Sequence, residues 1–404
     1  MKTYSRLLFV LMAFVPCVLV AQPNPDPQPA STNHLLIGAP SIDNVQNTGA
    51  DIITIDCDVV MVMVYDGDEP MFYWDITTYQ GNYTGMSPFL DQDITDPDVV
   101  LTPDFNHALV VYEYNGRIYL SVWEFDGGQS YYELQWFNNT QYPLHLQSGM
   151  NPNIDMDFGW HFAITWHSDN GKTDEIWAAV GEFSSGGNPS LNLSDPVVID
   201  RGRFPDVAIY EDTVTFTYLR DIGGGPDYDW VYFQESKTNI ENHNIVSSHV
   251  NLYNTANPPF SDYGRPRIAA PFYNDFLFYG SEFFVTVDYR EYDGFWQYEI
   301  VGYVYHNHQL SPVRKYNEND FFFNLNKDPV VTYHGDESVV AWTISCPYPP
   351  DQTDRINIMA RYTYYFNGFY NSYDAPLVNQ YLDDDQTISS IAGRRANTVL
   401  YFLA

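Results

Sequence analysis

The chain has 404 residues, a mean hydropathy of −0.31 and a formal net charge of −34, from 52 acidic and 18 basic side chains. That length can bury a large core, while the charge repels phosphate backbones and anionic membrane surfaces and so argues against nucleic acid as a partner. The acidity itself suits a solvated surface in salty surroundings or the binding of cations.

The first 21 residues read as a targeting segment. Lys2 and Arg6 form a positive start, Leu7 to Val20 is an apolar run interrupted by Pro16, and Ala21 is a small residue before a cut at Gln22. The run is short for a membrane span. Cys17 lies inside it without a lipobox, so the mature chain is expected to be exported, with no membrane span, to the cell surface, the periplasm or the medium. Residues 22–33, QPNPDPQPASTN, are Pro-rich and read as an extended leader. Residues 34–404 then form one domain. Without Lys2 and Arg6 the net charge is −36.

A motif recurs through that domain. Its markers are Pro97, Pro152, Pro205, Pro266 and Pro329, separated by 55, 53, 61 and 63 residues. Each Pro is followed by a short apolar run and two longer ones: DPDVVL, HALVVYEY and RIYLSVWEF, then NPNIDM, HFAITWHS and EIWAAVGEF, and so on through DPVVTYH, SVVAWTIS and INIMARYTYYF. A first copy, DIITID, VVMVMVYDG and MFYWDITTY, lacks the Pro. A looser apolar segment ends each copy, such as PLHLQ, PVVID, NIVSSHVNLY, PVRKY or APLVNQYL, and is taken as a fourth strand. Val, Ile, Thr and aromatic residues dominate the runs, and Asp-Gly, Asn-Gly and Gly-Gly pairs separate them. The predicted fold is all-β. Its units of four antiparallel strands stack radially as a β-propeller, with the Pro opening each innermost strand.

The tail, LDDDQTISSIAGRRANTVLYFLA, contains two more strands and stops. Pairing it with an N-terminal strand at His34–Gly38 would give seven blades and close the ring. A six-bladed ring is the alternative. Cys57 and Cys346 remain after the leader, and export would permit a disulfide between early and late repeats.

Several residues could carry chemistry. His167-Ser168-Asp169-Asn170-Gly171-Lys172-Thr173-Asp174 matches the Asp-box turn of sialidase-type propellers at Asp169, Gly171 and Thr173, and departs from it at His167 and Asp174. It falls between the second and third strands of its unit, which favours a plain polar hairpin. Gly202-Arg203-Phe204-Pro205, and more loosely Tyr263-Gly264-Arg265-Pro266, is similar to the Arg-Ile-Pro motif of sialidases. The chain therefore resembles, over residues ~50–404, secreted propellers related to the sialidase-like group. That resemblance implies Arg203 and Arg265, with Arg290 or Arg361, converging from successive blades. The repeat itself explains the Pro, however, and a strongly acidic chain attracts anionic sugars poorly.

Asp98, Asp155, Asp206 and Asp328 lie near inner-strand starts, where propeller glycosidases place catalytic carboxylates. Their recurrence points instead to a structural tie between carboxylate and loop amides. Candidate calcium ligands, none in an EF-hand loop, are Asp66, Asp68 and Glu69; Asp91, Asp93, Asp96 and Asp98; Asp155 and Asp157; and Asp383, Asp384 and Asp385. His306 and His308 lack converging ligands for zinc. With 34 Tyr, 26 Phe and 9 Trp, some aromatics are expected in loops, among them Trp136, Phe295 and Trp296, where rings stack on sugars or anchor protein contacts. The expectation is a non-catalytic propeller that binds an extracellular protein or glycan through loops on one ring face. The alternative is a glycoside hydrolase or lyase with a carboxylate pair in the central funnel.

Overall fold

The computed structural model describes the strands between residues 48 and 402 and parts of their connections; residues 1–47 and several internal loop stretches lie outside the described residues. The first sheet holds β1 (Thr48–Ile55), β2 (Asp58–Tyr65), β3 (Met71–Thr78) and β4 (Gly81–Pro88), paired in that order. The second holds β5 (Thr95–Leu101), β6 (His107–Tyr114), β7 (Arg117–Asp126) and β8 (Tyr131–Leu134), with β9 (Leu144–Ser148) also on β7. The third repeats this with β10 (Met150–Met156), β11 (His161–Asp169), β12 (Asp174–Ser184) and β13 (Ser190–Leu193), with β14 (Val197–Arg201) on β12. The fourth is β15 (Arg203–Tyr210), β16 (Thr213–Asp221), β17 (Asp229–Asn239) and β18 (Asn244–Ser247).

In the fifth, β19 (Ser261–Tyr263) and β20 (Arg267–Ala269) both pair with β21 (Phe283–Tyr292). That strand pairs with β22 (Trp296–His306), which carries β23 (Gln309–Leu310) and β24 (Arg314–Lys315). The sixth is β25 (Leu325–Tyr333), β26 (Glu337–Cys346), β27 (Arg355–Phe366) and β28 (Phe369–Ala375). After it, β29 (Ile391–Ala392) pairs with β30 (Tyr401–Phe402). All pairs are antiparallel, and no helix occurs among the described residues.

The sheets stack face to face. β1 packs on β5, β5 on β10, β10 on β15, β15 on β20, β20 on β25, and β29 touches both β25 and β1, so the chain of contacts returns to its start. This is a β-propeller. The expected pairing of His34–Gly38 with the tail lies outside the described residues, as do the signal segment and the leader. Apolar clusters fill the seams between neighbouring sheets. Between the first two, Phe72 stacks on Trp123 with centroids 4.7 Å apart and planes 4° from parallel. Such a pair contributes about 0.5–1.5 kcal/mol beyond area burial. The second strand of a sheet is covered on both faces: in β6, His107 to Tyr112 are all buried. That is why its sequence shows an unbroken apolar run instead of alternation.

Two expectations need correction. Pro97, Pro152, Pro205 and Pro329 do not open their inner strands but sit inside them at a bulge, whereas Pro266 immediately precedes β20. The ladder slips between Thr95 and Asp98, Met150 and Asn153, Arg203 and Asp206, and Lys327 and Val330. The residue before each Pro there (Asp96, Asn151, Phe204, Asp328) has a positive φ of 46 to 52°. A bulge leaves a position without a ladder bond, so a residue lacking an N–H costs nothing there. The second correction concerns the outer edge, which is made of two pieces in the second and third sheets. YYEL and SLNL pair with one end of the third strand, while the predicted PLHLQ and PVVID segments pair with its other end. In the sixth sheet the fourth strand is Phe369–Ala375, upstream of the predicted APLVNQYL.

Candidate functional site at the axial mouth

An innermost strand is an edge strand. Half of its amides face the central axis, where no further strand can accept them. In the second to fifth sheets a carboxylate from the preceding sheet does so. Asp51 Oδ2 accepts Leu101 N at 2.6 Å, Asp98 Oδ2 accepts Ile154 N at 3.0 Å, Asp155 Oδ2 accepts Ile209 N at 2.8 Å and Asp206 Oδ2 accepts Ile268 N at 2.9 Å. Three of these acids also accept the amide that follows them: Ile52 N, Val99 N and Val207 N donate to the Oδ1 atoms of Asp51, Asp98 and Asp206. The acid alternates between two places, one residue after the Pro (Asp98, Asp206) and the position corresponding to three after it (Asp51, Asp155). The carboxylate ties expected from the repeat are therefore present, but they run to the next sheet's inner strand and not to loop amides.

The fifth sheet breaks this pattern. Where the second and third sheets carry Asp or Asn on both sides of the Pro, it carries Arg265 and Arg267. Arg267 Nη1 donates to Asn153 Oδ1 across 3.1 Å, reaching past the fourth sheet to the third. Asn153 Nδ2 donates in turn to Pro205 O at 2.7 Å and Asn151 O at 3.2 Å. The first sheet contributes Gly49, since a Cβ there would lie 2.5 Å from the Asp98 Cα.

Around this tie the charges crowd. Burial pushes the Asp98 carboxyl up to about 7, with nearby Asp206 adding to the rise and the Ile154 and Val99 amides and Arg267 opposing it. Burial also raises Asp206, against Arg267 and the Ile268 amide. Asp96 is raised by burial, against Arg265, and Glu113 by burial and by Asp96. Arg265 falls to about 10, chiefly through burial and next through Arg267, despite Asp96, Asp206 and Asp98. Its guanidinium carbon lies 5.9 Å from the Phe204 ring centroid, and that of Arg203 lies 5.6 Å from the same ring. The His167 ring meets Phe204 edge-on at 5.6 Å. Arg265 Nε has no hydrogen-bond partner among the described residues.

The structure thus places Arg203 and Arg265 on one aromatic ring. The second cation beside Arg265 is Arg267, which sequence reasoning passed over. Its signal was available: the residues one after the Pro read Asp, Asn, Asp, Arg, Val. Arg361 is buried in β27, and the side chain of Arg290 lies outside the described residues. So do Trp136 and Phe295, the side chain of Trp296, Cys57 and the Cys346 side chain. Asp328 is exposed beside Lys327 at 3.6 Å, and so is no part of an axial carboxylate set. Asp169 and Asp174 pair across the hairpin that carries the Asp-box-like turn, joining second and third strands as expected; the turn itself lies outside the described residues. Among the described residues no group of three or more His, Cys, Asp or Glu is placed to hold a metal ion. Asp155 and Asp157 are engaged separately, by Ile209 N and by His161. Among the same residues, no helix is long and apolar enough to cross a membrane.

No protein-family model matches the chain, and no curated protein matches it. Solved structures do align with it. The β-propeller domain of the Trilobed protease from Pyrococcus furiosus is 8% identical with a TM-score of 0.44, over 88% of this chain and 95% of that one. AofleA from Arthrobotrys oligospora is 8% identical with a TM-score of 0.44, over 81% and 85%. A thermostable family-43 glycoside hydrolase is 12% identical with a TM-score of 0.36, over 69% and 99%.

Proposed function

We propose that this chain is an exported, non-catalytic β-propeller that binds an extracellular protein or glycan, with the axial mouth around Arg265, Phe204 and Arg203 as a recognition point. One observation carries this reading. The inner-strand acids that a funnel hydrolase would use are already committed, because both oxygens of Asp98 and of Asp206 accept backbone amides that hold adjacent sheets together. A nucleophile or general base needs an oxygen turned toward substrate. Arg265 supports the binding side. Its guanidinium and that of Arg203 flank the Phe204 ring, a cation–aromatic arrangement whose N–H groups can donate to acceptor oxygens of a ligand.

The hydrolase reading keeps one point in its favour, the Asp98 carboxyl raised to about 7 by burial, within the range of a general acid. A glycan array and an extracellular-protein array probed with the full chain separate the two. Retention of a ligand without new reducing or unsaturated sugar ends is expected, with retention at the mouth weakened about tenfold in Arg265→Gln. Release of sugar ends that disappears in Asp98→Asn would overturn the binding reading.

A further inference from the structure

At the opposite end of the inner strands, two turns of similar sequence behave differently. In the second sheet, Thr102 to His107 (TPDFNH) closes with Thr102 N donating to His107 O at 2.9 Å. Asp104 there ties the turn internally, accepting from the Thr102 hydroxyl at 2.8 Å and Asn106 Nδ2 at 2.8 Å. Phe105 takes the left-handed conformation, φ 52°, and packs against the core of the first seam. In the third sheet the turn is one residue shorter. Asp157 N donates to His161 O at 2.9 Å, spanning only Phe158, Gly159 and Trp160. The left-handed residue is now Trp160, φ 70°. Phe158 is 47% exposed.

The surroundings of Phe158 are built and polar. Trp160 lies half-buried, stacked on Phe183 at 6.1 Å and 20°. Asp157 fixes the His161 ring, with Oδ2 3.0 Å from Nδ1, while Oδ1 accepts His161 N at 2.8 Å. Gly159 makes room for that ring, since a Cβ there would come within 2.9 Å of His161 Nδ1. Glu182 stands directly opposite His161 on β12 and is exposed. A left-handed conformation on a bulky residue costs of order 1–3 kcal/mol and persists where its surroundings enforce it.

We propose that Phe158, Trp160, His161 and Glu182 form a subsite that stacks a pyranose ring of a neutral glycan. The chemistry selects this occupant. Aromatic faces stack on the apolar face of a sugar, and the flanking imidazole and carboxylate supply a donor and an acceptor for ring hydroxyls. A protein interface wants about 800 Å² per partner with an apolar centre. Here the exposed large apolar residues among those described are Met86, Phe158, Val197 and Val198, spread over β4, this turn and β14. The net charge of −34 disfavours acidic sugars.

This site goes beyond the axial mouth and is separable from it. Titration of the full chain with cellohexaose, xylohexaose and mannohexaose, followed by calorimetry and Trp fluorescence, tests it. At least one should bind with a fluorescence change. Phe158→Ala, an exposed position, should weaken that binding about tenfold at unchanged Tm, and Arg265→Gln should leave it intact. Equal binding by Phe158→Ala, loss in Arg265→Gln alone, or no binding of any neutral hexasaccharide would each overturn this subsite. Loss in Arg265→Gln alone would place the glycan at the axial mouth instead, and the last outcome leaves axial recognition of another ligand standing.

Discussion

The first four sheets and the next two use their inner strands differently. In the first four, each inner strand gives an aspartate to the next strand's backbone, so every seam from the first sheet to the fifth has a carboxylate tie. In the fifth and sixth sheets the same two positions hold Arg267 and Ala269, then Val330 and Thr332. In the fifth sheet a cation stands at the first of these positions, Arg267, and reaches past the fourth sheet to Asn153 of the third. In a repeat architecture, residues that recur hold the ring, and residues that interrupt the recurrence are available for other work. The interruption that marks this site is a pair of arginines, not an unmatched acid.

The largest test of that contrast is the loss of a tie. Asp206→Ala removes the acceptor of two buried amides and one of the acids that face Arg267. Breaking a buried charged network costs about 3–5 kcal/mol, which should appear as a large fall in Tm by calorimetry. Asp328→Asn in the sixth sheet alters an exposed acid at a left-handed position that Asn tolerates, and should shift stability by less than about 0.5 kcal/mol. Equal shifts in the two variants would erase the distinction between the regions.

Much of this was legible beforehand, and the failures have physical causes. The Pro markers, the apolar runs and the hairpin turns identify six sheets, because strand period and turn chemistry are local properties. The place of Pro97 at a bulge was not legible, because the slip between Thr95 and Asp98 is a property of the pair β5–β6 and not of either strand. The split outer edge was missed because YYEL and SLNL are only four residues long and partner only one end of β7 or β12. For Asp98, recurrence correctly indicated a structural tie. Its recipient, Ile154 N in the next sheet, depends on how two edge strands lie side by side, which no single-strand pattern encodes.

A smaller effect sharpens the comparison through pH. Burial lifts the Asp98 carboxyl from an unfolded value near ~3.9 to about 7. A carboxyl raised on folding favours the folded state in its protonated form. Its contribution is complete below about pH 4 and is lost as pH climbs towards 7. Asp96 and Asp206 act in the same direction, both raised by burial. Tm should therefore fall between pH 4.5 and 7.5 more steeply in the wild type than in Asp98→Asn. A slope unchanged by that variant would remove Asp98 from the account.

The smallest predicted effect lies at the other end of the strands and has a narrower pH window. The hydrogen bond from Asp157 raises His161 above its usual value, against partial burial. An imidazole raised on folding stabilises the fold fully below its unfolded value of ~6.5 and loses that contribution as pH rises through the folded value. With the His161 side chain 27% exposed, solvent screens much of the pairing, leaving less than about 1 kcal/mol. His161→Gln should therefore be slightly less stable than the wild type at pH 5.5, with a smaller gap at pH 8.5. The window separates the two ends of the ring: between pH 4.5 and 5.5 Asp98 is protonated in the fold and ionises on unfolding, while His161 stays protonated. Calorimetry of Asp98→Asn and His161→Gln across that interval should show a changing gap for the first and a constant one for the second. A gap that moved in step for both would mean that the ring ends are not electrostatically independent.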